Sequence, residues 1–307
     1  MIAAIRPWRV FLAERFAPGP YVIMVALFAA AHAAAAGPGA LARPGAAGVG
    51  RLGLAAVGAL AFFLKLRLYD ELKDYEVDLR LNPDRPLARG LVSRADMGWG
   101  IGGCIAVELA TFGALGAPAA LAMAAAVAYS LLMYREFFAS QFLRPRLTAY
   151  AVTHTAVSVL LSAALSAAFT GRHLWRLGTD LWLFGLGAWC LFNVFEFGRK
   201  TFASSEERAG ADSYSRVFGR SGAVALVAAM CALSLPLLGP VRIGGWGLPL
   251  YHLGLSLALL VLGVAFAGRD RASCGVAFRA ASQFYIAAVY AGVAVAGLPA
   301  FLQRGAP

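Results

Sequence analysis

The sequence predicts an all-α integral membrane protein, a bundle of nine transmembrane helices around a central cavity with its N-terminus in the cytoplasm. Three observations predict it: an excess of apolar residues, their gathering into runs of membrane-spanning length, and an alternation of basic residues between successive loops. Of the 307 residues, 60% are hydrophobic and 14% charged, where an ordinary soluble domain has about 45–50% apolar and about 25% charged residues. With a mean hydropathy of +0.70, the chain has too little polar surface to cover a water-soluble body, so the surplus faces hydrocarbon.

The apolar runs fall near 20–37, 48–68, 97–115, 117–134, 148–170, 178–197, 221–239, 246–267 and 281–302. Runs of roughly 17–25 residues cross a hydrocarbon core of about 30 Å as helices. Ala and Gly throughout suit close helix packing, and residues 1–307 read as one transmembrane domain. Arg6, Arg9 and Arg15 precede the first run; reading that run as a cleaved leader ending near Ala33 to Ala36 would leave eight spans in the same orientation. The N-terminus and alternate loops hold 21 of the 27 Lys and Arg residues, Lys65 and Arg67 among them, leaving Arg43, Arg51, Arg172, Arg176, Arg242 and Arg304 opposite. Positive residues stay on the cytoplasmic side, which sets the N-terminus there. The net charge of +11 is dispersed between apolar runs, unlike the patch or stripe that binds nucleic acid. Cys104, Cys190, Cys231 and Cys274 stand singly, with no disulfide framework or CxxC site.

Chemistry concentrates after the second and sixth spans. The second runs into DELKDYEVD, where Glu71, Asp74 and Asp78 share one face of a continued helix beside Asp70 and Glu76. Crowded carboxylates repel one another unless a cation sits among them, as when Mg²⁺ bridges protein carboxylates and substrate phosphates; the alternative is a solvated helix end paired with Lys73 and Arg80. Arg85 and Arg89 follow in NPDRPLARGLVS, placed to grip phosphate oxygens with forked hydrogen bonds. At the sixth span Asn193, Glu196 and Lys200 repeat the same helical spacing, with Glu206 and Glu207 beyond; the alternative is a simple Glu196–Lys200 ion pair closing the helix. Within the spans, Glu108 must be protonated, paired or cavity-facing. Tyr150 and His154 lie one turn apart, as pocket lining or as a pair holding two helices. His32 and His252 show no partner in the sequence.

The residues of the first motif resemble the UbiA superfamily of intramembrane prenyltransferases. Of its NDxxDxxxD signature, Asp70 stands at the Asn position, Glu71 at the first Asp, and Asp74 and Asp78 at the others; Asn82, Arg85, Pro86, Gly90 and Ser93 match the turn that follows. Its second motif is Asp-rich, whereas Glu196 and Lys200 stand here. A lysine cannot hold a metal but neutralises a diphosphate as a point charge. The resemblance implies catalytic roles for Asp70, Glu71, Asp74, Asp78, Glu196 and Lys200, with Mg²⁺ on Glu71, Asp74 and Asp78. It implies substrate contacts from Arg85, Arg89, Asn193, Glu206, Glu207, Glu108, Tyr150 and His154. The expected partners are an isoprenoid diphosphate, a hydrophobic aromatic or lipid acceptor and the lipid bilayer, with the site on the cytoplasmic side of a bacterial inner membrane. A terpene cyclase of the same superfamily is the first alternative. A transporter lined by Glu108 and Glu196 is the second.

Overall fold

Hydrocarbon offers no hydrogen-bond partners, so each apolar run satisfies its backbone polar groups internally as helix. The computed structural model describes residues 2–37, 40, 46–208, 210, 212–239 and 245–302, and no strand occurs among them. The helices are α1 (Ile2–Arg15), α2 (Pro18–Ala35), α3 (Ala46–Lys73), α4 (Tyr75–Leu81), α5 (Arg94–Leu115), α6 (Ala117–Tyr134), α7 (Ser140–Leu143), α8 (Leu147–Thr155), α9 (Val157–Thr170), α10 (Thr179–Arg199), α11 (Tyr214–Leu238), α12 (Gly247–Gly268) and α13 (Ala272–Leu302). Among the described residues nine spans are long and apolar enough to cross a membrane, with α8 and α9 together forming one of them.

The spans pack in chain order. α2 lies on α3, α3 on α5, α5 on α6, α6 on α9, α9 on α10, and α10 through α13 follow in sequence. α13 then returns to α2 and closes the ring, while α9 and α10 also touch helices across it. Close approach depends on small residues. A side chain at Gly198 would collide with Ser282 of α13, and one at Gly58 with Thr111 and Phe112 of α5. Such contacts replace the hydrophobic effect as the packing force where the surrounding lipid is as apolar as the helix.

Several helices overrun the expected apolar runs. α3 continues to Lys73, α10 to Arg199, α11 begins at Tyr214, and α13 begins at Ala272. These extensions, at the ends of α3 and α10 and the starts of α11 and α13, reach past the apolar runs and are invisible to a hydropathy reading. The even-numbered loops and α1 meet at one end of the bundle, the motif face, through Arg15–Glu71, Lys73–Glu136, Arg220–Asp270 and Arg279–Glu206 contacts. Arg51, Arg172 and Arg176 lie at the opposite end; Arg43, Arg242 and Arg304 fall outside the described residues.

Lys65 departs from the loop expectation. It lies inside α3, fully buried, with Nζ donating to Glu108 Oε2 of α5 at 2.6 Å. A lone charge in hydrocarbon is costly, and each of these residues is the reason the other is tolerated. Lys65→Met should therefore destabilise the fold by about 3–5 kcal/mol, whereas Lys65→Met with Glu108→Leu should recover most of the loss. Thermal unfolding in detergent of the two single variants and the double variant checks it; additive losses would refute a buried pair.

Candidate functional site

The first motif is positioned by a kink. α3 ends at Lys73, Asp74 adopts φ −90° and ψ 2°, and α4 resumes at Tyr75. The hydrogen bonds Asp74 N–H to Asp70 O at 2.9 Å and Asp78 N–H to Asp74 O at 2.8 Å carry the helical register across. Beyond α4, Gly90 at φ +74° turns the chain in the left-handed region that other residues resist. Ser93 and Asp96 then close a reciprocal cap on α5.

The four acids of that motif have different partners. Buried Glu71 accepts from Arg15 Nε at 2.7 Å and pairs with Arg67 Nη2 at 2.9 Å, which docks α1 onto α3. Buried Asp78 accepts from Arg85 Nη1 at 2.6 Å and from Asn82 Nδ2 at 3.0 Å, so the turn of residues 82–93 folds back over it. Asp70 has only Arg67 at 4.0 Å and leaves 55% of its side chain exposed. Asp74 is exposed, and among the described residues its carboxylate has no hydrogen bond or ion pair. The protein mass around Asp74 and the like charge of Asp78 raise its pKa above the ordinary carboxylate value.

Across the recess stands the end of α10. Glu196 is held by Arg199 Nη2 at 2.6 Å and Lys200 Nζ at 2.9 Å, so the Glu196–Lys200 pair weighed as the alternative is present and Arg199 joins it. Arg199 and Asp70 lie within electrostatic reach of each other, and Tyr21 of α2 within reach of Arg199. The two motifs therefore face one mouth. Asn193 does not extend the polar face: fully buried, it donates to Trp189 O at 2.9 Å and accepts from Thr155 Oγ1 at 2.9 Å, clamping α10 to α8.

A third wall comes from the α6–α8 connection. Lys73 Nζ donates to Tyr150 Oη at 2.6 Å and lies 3.4 Å from His154 Nε2 and 3.5 Å from Glu136 Oε1. Tyr150 and His154 stack with centroids 3.8 Å apart. Glu136, Phe137 and Phe138 all have positive φ of 51°, 53° and 54°, a strained turn for residues with side chains. Arg144 fixes it by a forked pair to Glu136 at 2.8 and 2.9 Å. Burial acts to raise the Glu136 pKa, but the hydrogen bonds from Arg144 and the charges of Lys73 and Arg144 outweigh it and hold the carboxyl below its ordinary value.

The remaining predicted residues lie elsewhere. Glu108 is engaged with Lys65 between α3 and α5. Arg89 pairs with Glu14 on α1 at 2.8 Å. Glu206 caps Ala203 and binds Arg279 of α13, and Glu207 accepts from Ser213 and Ser215, so both tie down the loop after α10. His32 and His252, without partners in the sequence, have them in space: His32 Nδ1 lies 2.8 Å from Phe28 O, and His252 Nε2 lies 2.9 Å from Tyr285 Oη. Sequence reasoning missed Arg199, Glu136 and Arg144 as members of the site. Arg199 left a signal in its i,i+3 spacing to Glu196; Glu136 and Arg144, joined through an irregular turn, left none.

Among the described residues no three of His, Cys, Asp and Glu converge to enclose a metal ion. Asp70 and Asp74 nevertheless fit a metal that takes most of its ligands from substrate. They stand one turn apart with open oxygens, and Mg²⁺ in phosphate sites is held by one or two carboxylates plus phosphate oxygens. Glu71 and Asp78, expected to share that metal, are neutralised by arginines instead.

A model of the UbiA prenyltransferase family matches residues 23–289. The chain belongs to the UbiA prenyltransferase family. Solved structures of UbiA homologues share its fold. An apo UbiA homologue from Aeropyrum pernix K1 is 17% identical, with a TM-score of 0.55 over 91% of this chain and 96% of its own. A UbiA homologue from Archaeoglobus fulgidus bound to GPP and Mg²⁺ is 16% identical, with a TM-score of 0.56 over 90% and 99%. A digeranylgeranylglyceryl phosphate synthase is 11% identical, with a TM-score of 0.56 over 91% and 98%. No curated protein matched. The UbiA membership and the nine apolar helices make this chain an integral membrane prenyltransferase.

The loop lock at Glu206 is testable by pH. Hydrogen bonds from Arg279 lower the Glu206 pKa despite partial burial. A folded value below the unfolded one gives stabilisation present at neutral pH and lost as the pH falls through the folded value. Protease cleavage between Thr201 and Ser213 should therefore rise on acidification in the wild type, while Glu206→Gln should be cleaved readily at every pH. A wild type that stays resistant below the carboxylate range would show that the lock is not ionic.

Proposed function

We propose that the chain moves an isoprenoid group from an allylic diphosphate to an aromatic or lipid acceptor dissolved in the bilayer, at a site facing the cytoplasm of a bacterial inner membrane. One observation carries this reading: Asp70, one turn from the open carboxylate of Asp74, lies within electrostatic reach of Arg199, two turns above the stacked Phe63 and Phe192 rings of the same two helices. The six acids around the mouth, Asp70, Glu71, Asp74, Asp78, Glu136 and Glu196, meet seven bases, Arg15, Arg67, Lys73, Arg85, Arg144, Arg199 and Lys200. The balance is slightly basic, which suits a polyanion better than a free metal cation.

Asp70 and Asp74 would hold Mg²⁺ together with diphosphate oxygens; when bound, the ion supplies positive charge to the departing diphosphate. Arg199 and Lys200 offer N–H donors to the oxygens on the other side. Lys200 stands where the resemblance places a second acid, so its fixed charge replaces that of a second metal. Asn193 acts one step removed, by holding α10 at its height through Thr155. Loss of the diphosphate leaves an allylic cation that water would capture, and an apolar recess among packed helices keeps water away until the acceptor attacks. Support comes from the related fold of the homologue bound to GPP and Mg²⁺.

The test is Mg²⁺-dependent diphosphate release from allylic substrates by the purified protein in nanodiscs, with and without aromatic and lipid acceptors. Asp70→Asn and Asp74→Asn should each lower turnover by about 10²-fold or more and raise the Mg²⁺ concentration needed. Lys200→Ala should weaken substrate binding at every Mg²⁺ level, and Lys200→Asp should be partly rescued by high Mg²⁺. Wild-type-like turnover in Asp74→Asn would remove the metal assignment, and a cyclic product formed without acceptor would replace transfer by cyclisation.

A further inference from the structure

Three helices repeat one spacing beneath the mouth. Tyr21 and Phe28 on α2, Phe63 and Asp70 on α3, and Phe192 and Arg199 on α10 are each seven residues apart. Seven residues make two turns, so each pair shares a helix face with its members about 10 Å apart along the axis. The upper members lie within electrostatic reach, Arg199 with both Asp70 and Tyr21. The lower members touch: Phe63 and Phe192 stack at 5.6 Å, and Phe28 meets their edges at 6.2 and 5.7 Å. Polar mouth and aromatic layer are thus two levels of one face shared by the three helices.

The layer is graded in exposure. Phe63 and Phe192 keep part of their surface accessible, whereas Phe28 and Tyr290 behind them are fully buried. Tyr290 packs on Phe28 at 5.2 Å, and His32 sits between Phe28 and Phe184 at 4.4 and 4.9 Å. Phe192 is held at its level by its neighbour Asn193, bonded to Thr155, and by Trp189 Nε1 donating to Val152 O at 3.1 Å and Thr155 Oγ1 at 3.0 Å. Rings fixed this way resist displacement, because a packed interior has few alternative arrangements.

We propose that the Phe63–Phe192 stack, backed by Phe28, is a floor that sets the length of the donor's tail and selects a short allylic diphosphate. The inference rests on the isoprenoid-transfer reading above. A diphosphate held between Asp70 and Arg199 leaves about two helical turns, roughly 10 Å, above the floor, enough for a tail of two isoprene units. A tail of four units meets the stacked rings and must bend aside.

The experiment measures kcat/KM for diphosphate release from donors of two, three and four isoprene units, with wild type, Phe63→Ala, Phe192→Ala and the gentler Phe63→Leu and Phe192→Leu, each checked for folding by gel filtration and thermal unfolding. Wild type should favour the two-unit donor by about tenfold or more over the four-unit donor, the scale on which pocket shape discriminates apolar groups. Removing either ring should move that ratio toward the longer donor by about tenfold, with the leucine variants intermediate. Asp74→Asn should lower all donors alike. A ratio unchanged in the folded ring variants, or a wild type that prefers the four-unit donor, overturns the floor while leaving transfer intact. A wild type that releases diphosphate from none of the donors overturns the transfer reading, and this inference with it.

Discussion

Backbone that crosses hydrocarbon has to be helical, and this constraint decides where the chemistry of the chain can sit. A helix presents polar groups cheaply only in the turn that emerges from the membrane, so functional residues collect at helix ends. α3 and α10 each carry their reactive turn as an extension past the apolar run, ending at Lys73 and Arg199. Because both are second members of antiparallel pairs, the two extensions emerge at the same end. The face between them is then charged at its rim and aromatic two turns below.

Charge compensation shapes the rim as strongly as catalysis does. Glu71 and Asp78, which a motif reading treats as equivalent to Asp74, are buried and closed by arginines from α1 and from the turn after α4. A buried carboxylate without such partners would be protonated or would destabilise the fold. Their ion pairs fix α1 and the turn against the end of α3. The exposed pair, Asp70 and Asp74, is left with open oxygens on a scaffold that the buried pair makes rigid. Division of labour within one acidic motif follows from burial alone.

The nine spans, their one-sided basic loops and the acidic turn after the second span were legible in the sequence because each is a local pattern. Periodicity, run length and composition are written along the chain. Which way a helix is rotated is not. Asn193 shares a helical face with Glu196 by spacing, yet it turns into the α8–α10 contact, because Thr155 and Trp189 satisfy its amide there. Lys65 counts with the basic loops although it falls inside the run 48–68, since a charge so near the end of a run reads as its border; the position of Glu108 on a neighbouring helix shows that the charge is internal. Glu136 and Arg144 are joined through a left-handed turn with no regular spacing, so no periodic rule could have paired them.

The same clamp that withdraws Asn193 from the mouth gives the site its depth. Thr155 ends α8 just before the chain continues as α9, and it receives Trp189 and donates to Asn193 from α10. Those bonds fix the axial register of α10 against its neighbour. The Phe63–Phe192 stack sets α10 level with α3, and because both helices rise by the same increment per residue, Arg199 then stands level with Asp70. A slide by one turn would break the stack and carry Arg199 away from the carboxylates together. The height of the charged mouth and the height of the aromatic floor are therefore one structural variable, read at the ring stack and steadied by hydrogen bonds from α8 that touch neither.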